Sequence, residues 1–334
     1  MSQVSVLGID SAQQVFHVVG MHDTGTMVWR KRLTRSAVMP FMARIPPVVI
    51  GMEACGGAHD WARRFRAQGP IVTWMAPQLV KPSVKSNQPE MADAEALGAA
   101  VTRPTMRCVP VKELAQQDFQ ALHRVRERWV NARTALLHER RGWLSAYGSV
   151  LPPGGTTCRP GLCPLLEQAQ GKLTARGRAI VEPLSAEWLA LEERLAYDHE
   201  QLDTMCPSPP VCPRLLTIPG LGPFTATALV AAVNDATHVK NGRPWAAGLG
   251  RVPRPHSTGG KPPLLGISTR GARYRRTRLV HGARATLRWP TLKQDRRSQG
   301  GRALIARRGP NRAVVALAHK HARMAWVLLT TAQV

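Results

Sequence analysis

The stretch 3-QVSVLGID-10 is short, apolar and rich in β-branched residues, and it closes on an acid. Read as a strand, it organises the first hundred residues. The run 14-QVFHVVGMHDTGTMVWRKRL-33 follows as two strands joined by a DTG turn, which predicts a three-stranded meander. A further apolar run, 47-PVVIGME-53, again ends in an acid. Next, 55-CGGAHDWARRFRAQG-69 opens on glycines, continues with helix formers and stops at Gly69. The run 71-IVTWMAP-77 is strand-like and closed by proline, and 90-EMADAEALGAAV-101 is helical. Strands followed by helices in this order predict a sheet covered by helices, an α/β N-terminal domain.

Beyond it the pattern changes to helical. Leu122, Val125, Trp129, Ala132 and Leu136 step by three and four, with Trp143 a heptad later. Leu184, Trp188, Leu191, Leu195 and Leu202 keep a second seam. Two long helices facing each other in one chain, or facing another protomer, would bury these stripes. The Pro- and Gly-rich 148-GSVLPPGGTTCRPGLCP-164 between them reads as loop. The turn-rich 206-CPSPPVCP-213 then opens a mainly helical C-terminal domain. There 215-LLTIPGLGPFTATALVAAV-233 reads as helix, turn, helix, and 311-NRAVVALAHKHARMAWVLL-329 as a helix apolar on one side and basic on the other. The expected division is 1–108, 109–205 and 206–334.

Charge separates these regions. The chain of 334 residues has a formal net charge of +25, and residues 251–334 hold 19 Lys/Arg against a single acid, Asp295. Such a surface calls for a polyanion, nucleic acid being the commonest. An anionic membrane is the rival, but no apolar run reaches the ~18–20 residues of a spanning helix. The N-terminus has neither the basic nor the apolar region of a signal peptide, so a cytoplasmic location is expected. The six cysteines, at 55, 108, 158, 163, 206 and 212, form no CxxC pair. Reduced structural thiols are therefore expected, and the spacings of Cys158–Cys163 and Cys206–Cys212 are loose for zinc.

Acids mark the candidate chemistry of the first domain. Asp10 and Glu53 end strands, and Glu90 and Asp93 lie three apart at a helix start, so they share a face. A helix packed across the strand ends would gather all four. Such a set stays ionised together only when cations neutralise it, and oxygen-only clusters suit Mg²⁺.

The ordered segments GIDSAQQVF, GMEACGGAHDWAR, VKPSVKSNQPEMADAEAL, TRPTMRCVPVK, LLTIPGLGPFTATAL and GLGRVPRPHSTGGKPPLLGISTRGARYRRTRLVHGARA closely resemble one family over nearly the whole chain. These are the insertion-sequence transposases with an N-terminal RuvC-like DEDD domain and a serine-containing C-terminal domain, also known as bridge-RNA-guided recombinases. The motif 256-HSTGGK-261 resembles the subgroup that writes it HSTGGK or HSSGGK.

The resemblance implies a ribonuclease-H-like (RuvC-like) first domain whose Mg²⁺ ligands are Asp10, Glu53, Glu90 and Asp93. A helical, coiled-coil middle is expected between it and the C-terminal domain from the two apolar stripes. One position departs from the family. An aspartate is usual where 88-QPEMAD-93 has Glu90, whose extra methylene moves the carboxylate by about 1.5 Å. It further implies that Ser257, or else Thr258, attacks DNA and holds it as a phosphoserine intermediate. Gly259 and Gly260 would let backbone approach a phosphate, and Lys261, Arg270, Arg273, Arg275 and Arg276 would offset its charge. The turn 218-IPGLGPFTA-226 resembles a helix–hairpin–helix, with Gly220 and Gly222 allowing close approach to a phosphate. Tyr274 is a candidate for stacking on a base. The implied partners are donor and target DNA, a structured guide RNA and a homo-tetramer. Two other readings are a Mg²⁺-dependent nuclease using the acids alone and an inactive nucleic-acid-binding remnant, which the Glu90 departure keeps open.

Overall fold

The computed structural model describes residues 4–80, 90–104, 106, 108–150, 173–233, 236–250, 253–256, 264–268, 271–288 and 295–331. The protein is mixed α/β and mostly helical, and it divides into two compact units, Met1–Glu113 and Leu114–Val334.

The first unit holds strands β1 (Val6–Ser11), β2 (Val15–Met21), β3 (Met27–Thr34), β4 (Val49–Glu53), β5 (Ile71–Met75) and β6 (Cys108–Val109) in one sheet of order β3-β2-β1-β4-β5-β6. The expected meander is present: β1, β2 and β3 pair antiparallel, and Gly25, at φ +83°, carries the DTG turn. β1, β4 and β5 run parallel, and β6 returns antiparallel to β5. Sequence periodicity gives no sign of β6, which is only two residues long. Helices α1 (Val38–Met42), α2 (Ala58–Arg66), α3 (Pro77–Val80) and α4 (Glu90–Val101) complete the unit.

Alternation along the strands distributes the sheet's two faces. Leu7, Ile9, Ile50 and Met52 point to one face and are buried with Trp61, Ala62 and Phe65 of α2. Phe16 meets Trp61 edge-on at 4.8 Å. The other face carries Val6, Gly8, Gly51 and Asp10, and α4 covers it. Here glycine is a steric requirement. A Cβ on Gly8 would overlap the Ala94 carbonyl and lie 2.7 Å from the Gly98 nitrogen, while a Cβ on Gly51 would lie 2.7 Å from the Leu97 carbonyl oxygen. The helix therefore rests directly on the backbone of β1 and β4.

In the second unit, α5 (Leu114–Ala146) and α6 (Ala175–Met205) form an antiparallel hairpin. The two sequence stripes meet within the chain: Leu136, Trp188 and Leu191 are buried together, with Trp129, Ala132 and Leu184 packed against them. Arg133 pairs with Glu192 at 2.9 Å across the seam. Val125 and Trp143, expected in the α5 stripe, instead lie exposed at 42% each. They are 18 residues apart, about five full turns, so they share one outward face.

The hairpin's open end packs on α8 (Pro223–Ala232), where Phe119, Leu202 and Ala231 are buried together and Gln116 Nε2 donates to the Val230 carbonyl at 3.0 Å. α7 (Val211–Leu216) and α10 (Arg273–Arg288) pack on α8, while α9 (Gly242–Gly248), α10 and α11 (Arg296–Arg308) pack on the final helix, α12 (Pro310–Thr330). Leu215, Ile218, Leu229, Trp245, Leu279 and Ala322 share one core. A small ribbon, β7 (Pro253–Pro255) and β8 (Leu264–Ile267), pairs antiparallel with Pro255 opposite Leu264. Among the described residues no helix is long and apolar enough to cross a membrane.

Candidate active site and nucleic-acid interface

Asp10 and Glu53 come together through sheet register. Ile9 is the Cα partner of Met52, so the next residue on each parallel strand is one of these acids. Each lies two residues beyond a glycine that touches α4, so both project toward the α4 face at the carboxyl ends of their strands. Just beyond them, Ser11 Oγ and Cys55 Sγ lie 3.4 Å apart, tying the two strand ends together. Asp10, Glu53 and Asp93 are all half-buried. Asp93 stands in the first turn of α4, immediately before Ala94, whose carbonyl lies over Gly8. Glu90 is the first residue of α4, and its side chain lies outside the described residues.

The donors on this face are oxygen-only, the chemistry that suits Mg²⁺. Among the described residues no three His, Cys, Asp or Glu side chains converge closely enough to hold a metal ion. The fit to a cation therefore rests on the adjacent Asp10–Glu53 pair, with Asp93 in the first turn of α4, the helix that covers the same face. Cys206 and Cys212 are buried in the helical core, and Cys158 and Cys163 lie outside the described residues.

Ser257, Thr258, Gly259, Gly260, Lys261 and Arg270 also lie outside the described residues. The ribbon nevertheless fixes the ends of their segment, since residues 256–263 connect Pro255 to its Cα partner Leu264. The exposed His256 is the last described residue before the serine. Arg273 is exposed at the start of α10, and Arg275 and Arg276 are half-buried. Burial lowers the Arg275 pKa from its ordinary value.

The turn between α7 and α8 has the expected helix–turn–helix outline. Gly220, at φ +86°, is in the left-handed region, and a Cβ there would overlap the Gly282 carbonyl of α10. Thr286 Oγ1 donates to the Pro219 carbonyl at 3.2 Å in the same contact. The close approach that Gly220 permits is thus to another helix. Gly222, the residue before α8, has no atom within 4 Å of where a Cβ would stand.

Tyr274 is held by its neighbours. Its hydroxyl meets His123 Nδ1 at 2.8 Å, and the Arg278 guanidinium lies 4.7 Å from its ring centre. His123 Nε2 meets Thr227 Oγ1 at 3.0 Å, and that hydroxyl donates to the Pro223 carbonyl at 2.6 Å. Nε2–H must then be the donor, leaving Nδ1 to accept from Tyr274. Burial, with Arg126 and Arg278 nearby, lowers the His123 pKa to about 4. Arg126 lies 4.3 Å from the Phe224 ring centre at the start of α8, and its own pKa is lowered by burial and by Arg278. Arg126 carries no local signal of this role, since it lies on the helical hairpin, far along the chain from the basic C-terminus.

Residues 212–299 match the family described as "Transposase IS116/IS110/IS902 family". A "Probable family 20 transposase" of Pseudomonas aeruginosa is 42% identical over 328 residues, covering 98% of this chain and 97% of that protein. The "Transposase for insertion sequence element IS1111A" of Coxiella burnetii is 40% identical over 99% of this chain and 91% of its own length. The "Transposase for insertion sequence element IS1328" of Yersinia enterocolitica is 34% identical over 99% and 98%.

Proposed function

The chain belongs to the IS116/IS110/IS902 transposase family, and from that membership we propose that it is an insertion-sequence transposase that cuts and rejoins DNA through a covalent bond to Ser257. The reading includes a ribonuclease-H-like fold for the first unit, supported by a sheet in which an antiparallel meander leads into parallel strands. The observation that carries it is the placement of Asp10 and Glu53 side by side at parallel strand ends, beneath the helix that bears Glu90 and Asp93. These four acids would hold Mg²⁺. When bound, Mg²⁺ would neutralise phosphate charge and ease loss of the serine proton.

In the proposed step the Ser257 oxygen bonds to phosphorus, the bond from phosphorus to one sugar oxygen breaks, and that oxygen takes up a proton. Thr258 is the alternative nucleophile. Gly222, Gly259 and Gly260 let phosphates approach backbone, and Lys261, Arg270, Arg273, Arg275 and Arg276 offset their charge. A structured RNA from the element selects donor and target DNA by base pairing. Exchange of two duplexes calls for several protomers, here a tetramer, and the exposed Val125 and Trp143 on one face of α5 support contact between copies.

A cleavage assay with the element's flanking RNA, a target duplex and Mg²⁺ tests this reading. Asp10→Asn, Glu53→Gln and Ser257→Ala should each lower strand cleavage by at least about a hundredfold, the scale of losing a nucleophile or its activation. Full cleavage by Ser257→Ala would favour a nuclease that uses the acids alone.

A further inference from the structure

The final helix carries a basic face that the strand-exchange chemistry leaves unused. A cleft of about 680 Å³ lies between the start of α9 and this face of α12. Arg243, His319, Lys320 and Arg323 line it. Its floor is apolar, made by Ala316, Met324, Trp326 and Val327. The Trp326 indole is fixed, because Nε1–H donates to the Val239 carbonyl at 3.1 Å. The cleft's shape is fixed as well: a Cβ on Gly242 would lie 3.4 Å from the Arg323 Cβ, so α9 starts directly against α12.

A second cleft, of about 270 Å³, adjoins the first through Ala316 and Lys320 and carries Arg296 at its other side. No acid lines either cleft among the described residues. Asp295, close to the second, accepts from the Ser298 backbone and hydroxyl at 3.0 and 2.8 Å, capping the first turn of α11. Arg243, Lys320, Arg323 and Arg296 therefore line a path with no carboxylate in its lining among the described residues.

We infer that the cleft between α9 and α12 binds an unpaired nucleotide of a single-stranded nucleic acid, its base on the Trp326 floor and its flanking phosphates on Arg243, Lys320 and Arg323. The volume falls within the roughly 300–1,000 Å³ of small-ligand pockets, large enough for one base. A duplex would use the cations but leave the apolar floor uncovered, whereas a splayed base fills it, as in sequence-tolerant single-strand binders. Lys320 then passes the strand to Arg296 in the adjoining cleft. The inference rests on the reading that the chain handles nucleic acid, but it does not depend on Ser257 or on the acids of the first unit.

The test uses full-length protein with labelled oligo-U, oligo-dT and a blunt duplex, each of about ten nucleotides, within the range of single-strand site sizes. Fluorescence anisotropy should show tighter binding to the single strands than to the duplex. Arg243→Glu combined with Arg323→Glu should weaken single-strand binding by about tenfold or more and flatten its salt dependence. Ser257→Ala and Asp10→Asn should bind as the wild type does, so loss of strand cleavage and loss of this site are separable. Photocrosslinking of a thiouridine-substituted oligomer to wild-type protein should yield adducts in 313–328, a readout independent of how any variant folds. A preference for oligo-U identifies RNA as the occupant, and a preference for oligo-dT identifies a displaced DNA strand. Duplex binding as tight as single-strand binding, or crosslinks confined to other segments, would overturn the inference.

Discussion

Burial, with Arg126 and Arg278 nearby, holds His123 in its neutral form, and its two hydrogen-bond partners come from elements distant in sequence, Thr227 on α8 and Tyr274 on α10. The folded pKa of about 4 lies below the ordinary 6.5. Protonation therefore favours the unfolded chain first as pH falls. The stabilisation is complete above about pH 6.5 and is lost progressively toward pH 4, by up to roughly 3 kcal/mol. Urea unfolding at pH 7 and pH 4.5 should show a larger loss of stability in the wild type than in His123→Gln, by about 2 kcal/mol. Equal losses would mean that His123 does not carry this pH dependence. His59, whose pKa is also lowered to about 4 by partial burial and by Lys112 and Arg63, is intact in both proteins and cancels in the comparison. Tyr274 reads as a free aromatic in a basic run, because its partner His123 lies about 150 residues away and local sequence carries no trace of it.

At the scale of elements, the acid-bearing helix is positioned by glycines. Gly8→Ala would drive a methyl group into the Ala94 carbonyl and lift the start of α4, moving Asp93 away from Asp10. Overpacking of this kind costs about 1–3 kcal/mol, and strand cleavage should fall by more than the loss of folded protein explains. Gly56→Ala is the control, since no atom lies within 4 Å of its Cβ position. Thermal melting together with the cleavage assay checks both. Much of this layer was legible in sequence. The strand runs, the DTG turn and the span of α4 follow from alternation and punctuation, and the stripes of α5 and α6 follow from their spacing. What local pattern could not give was contact across elements. Gly220 looked suited to a phosphate but meets Gly282. Val125 and Trp143 fit the stripe by spacing yet face outward. The cleft floored by Trp326 depends on α9, a seven-residue helix with no periodic signal of its own, and the acidic face needs the register of β1 against β4.

For the whole molecule, charge and chemistry are set in different places. The acids of interest lie in Met1–Glu113, while the serine and most of the excess positive charge lie in Leu114–Val334. A last quarter with so few acids suits polyanions, which it would hold by counterion release. The covalent step proposed for Ser257 would need both regions to act on one phosphate. The most direct test is to trap the product of full-length protein with Mg²⁺, its flanking RNA and target DNA under denaturing conditions, and to map the attached residue by mass spectrometry. A DNA adduct on Ser257, absent in Ser257→Ala and in Asp10→Asn, is the predicted result. Efficient strand exchange with no adduct on Ser257 or Thr258 would contradict it.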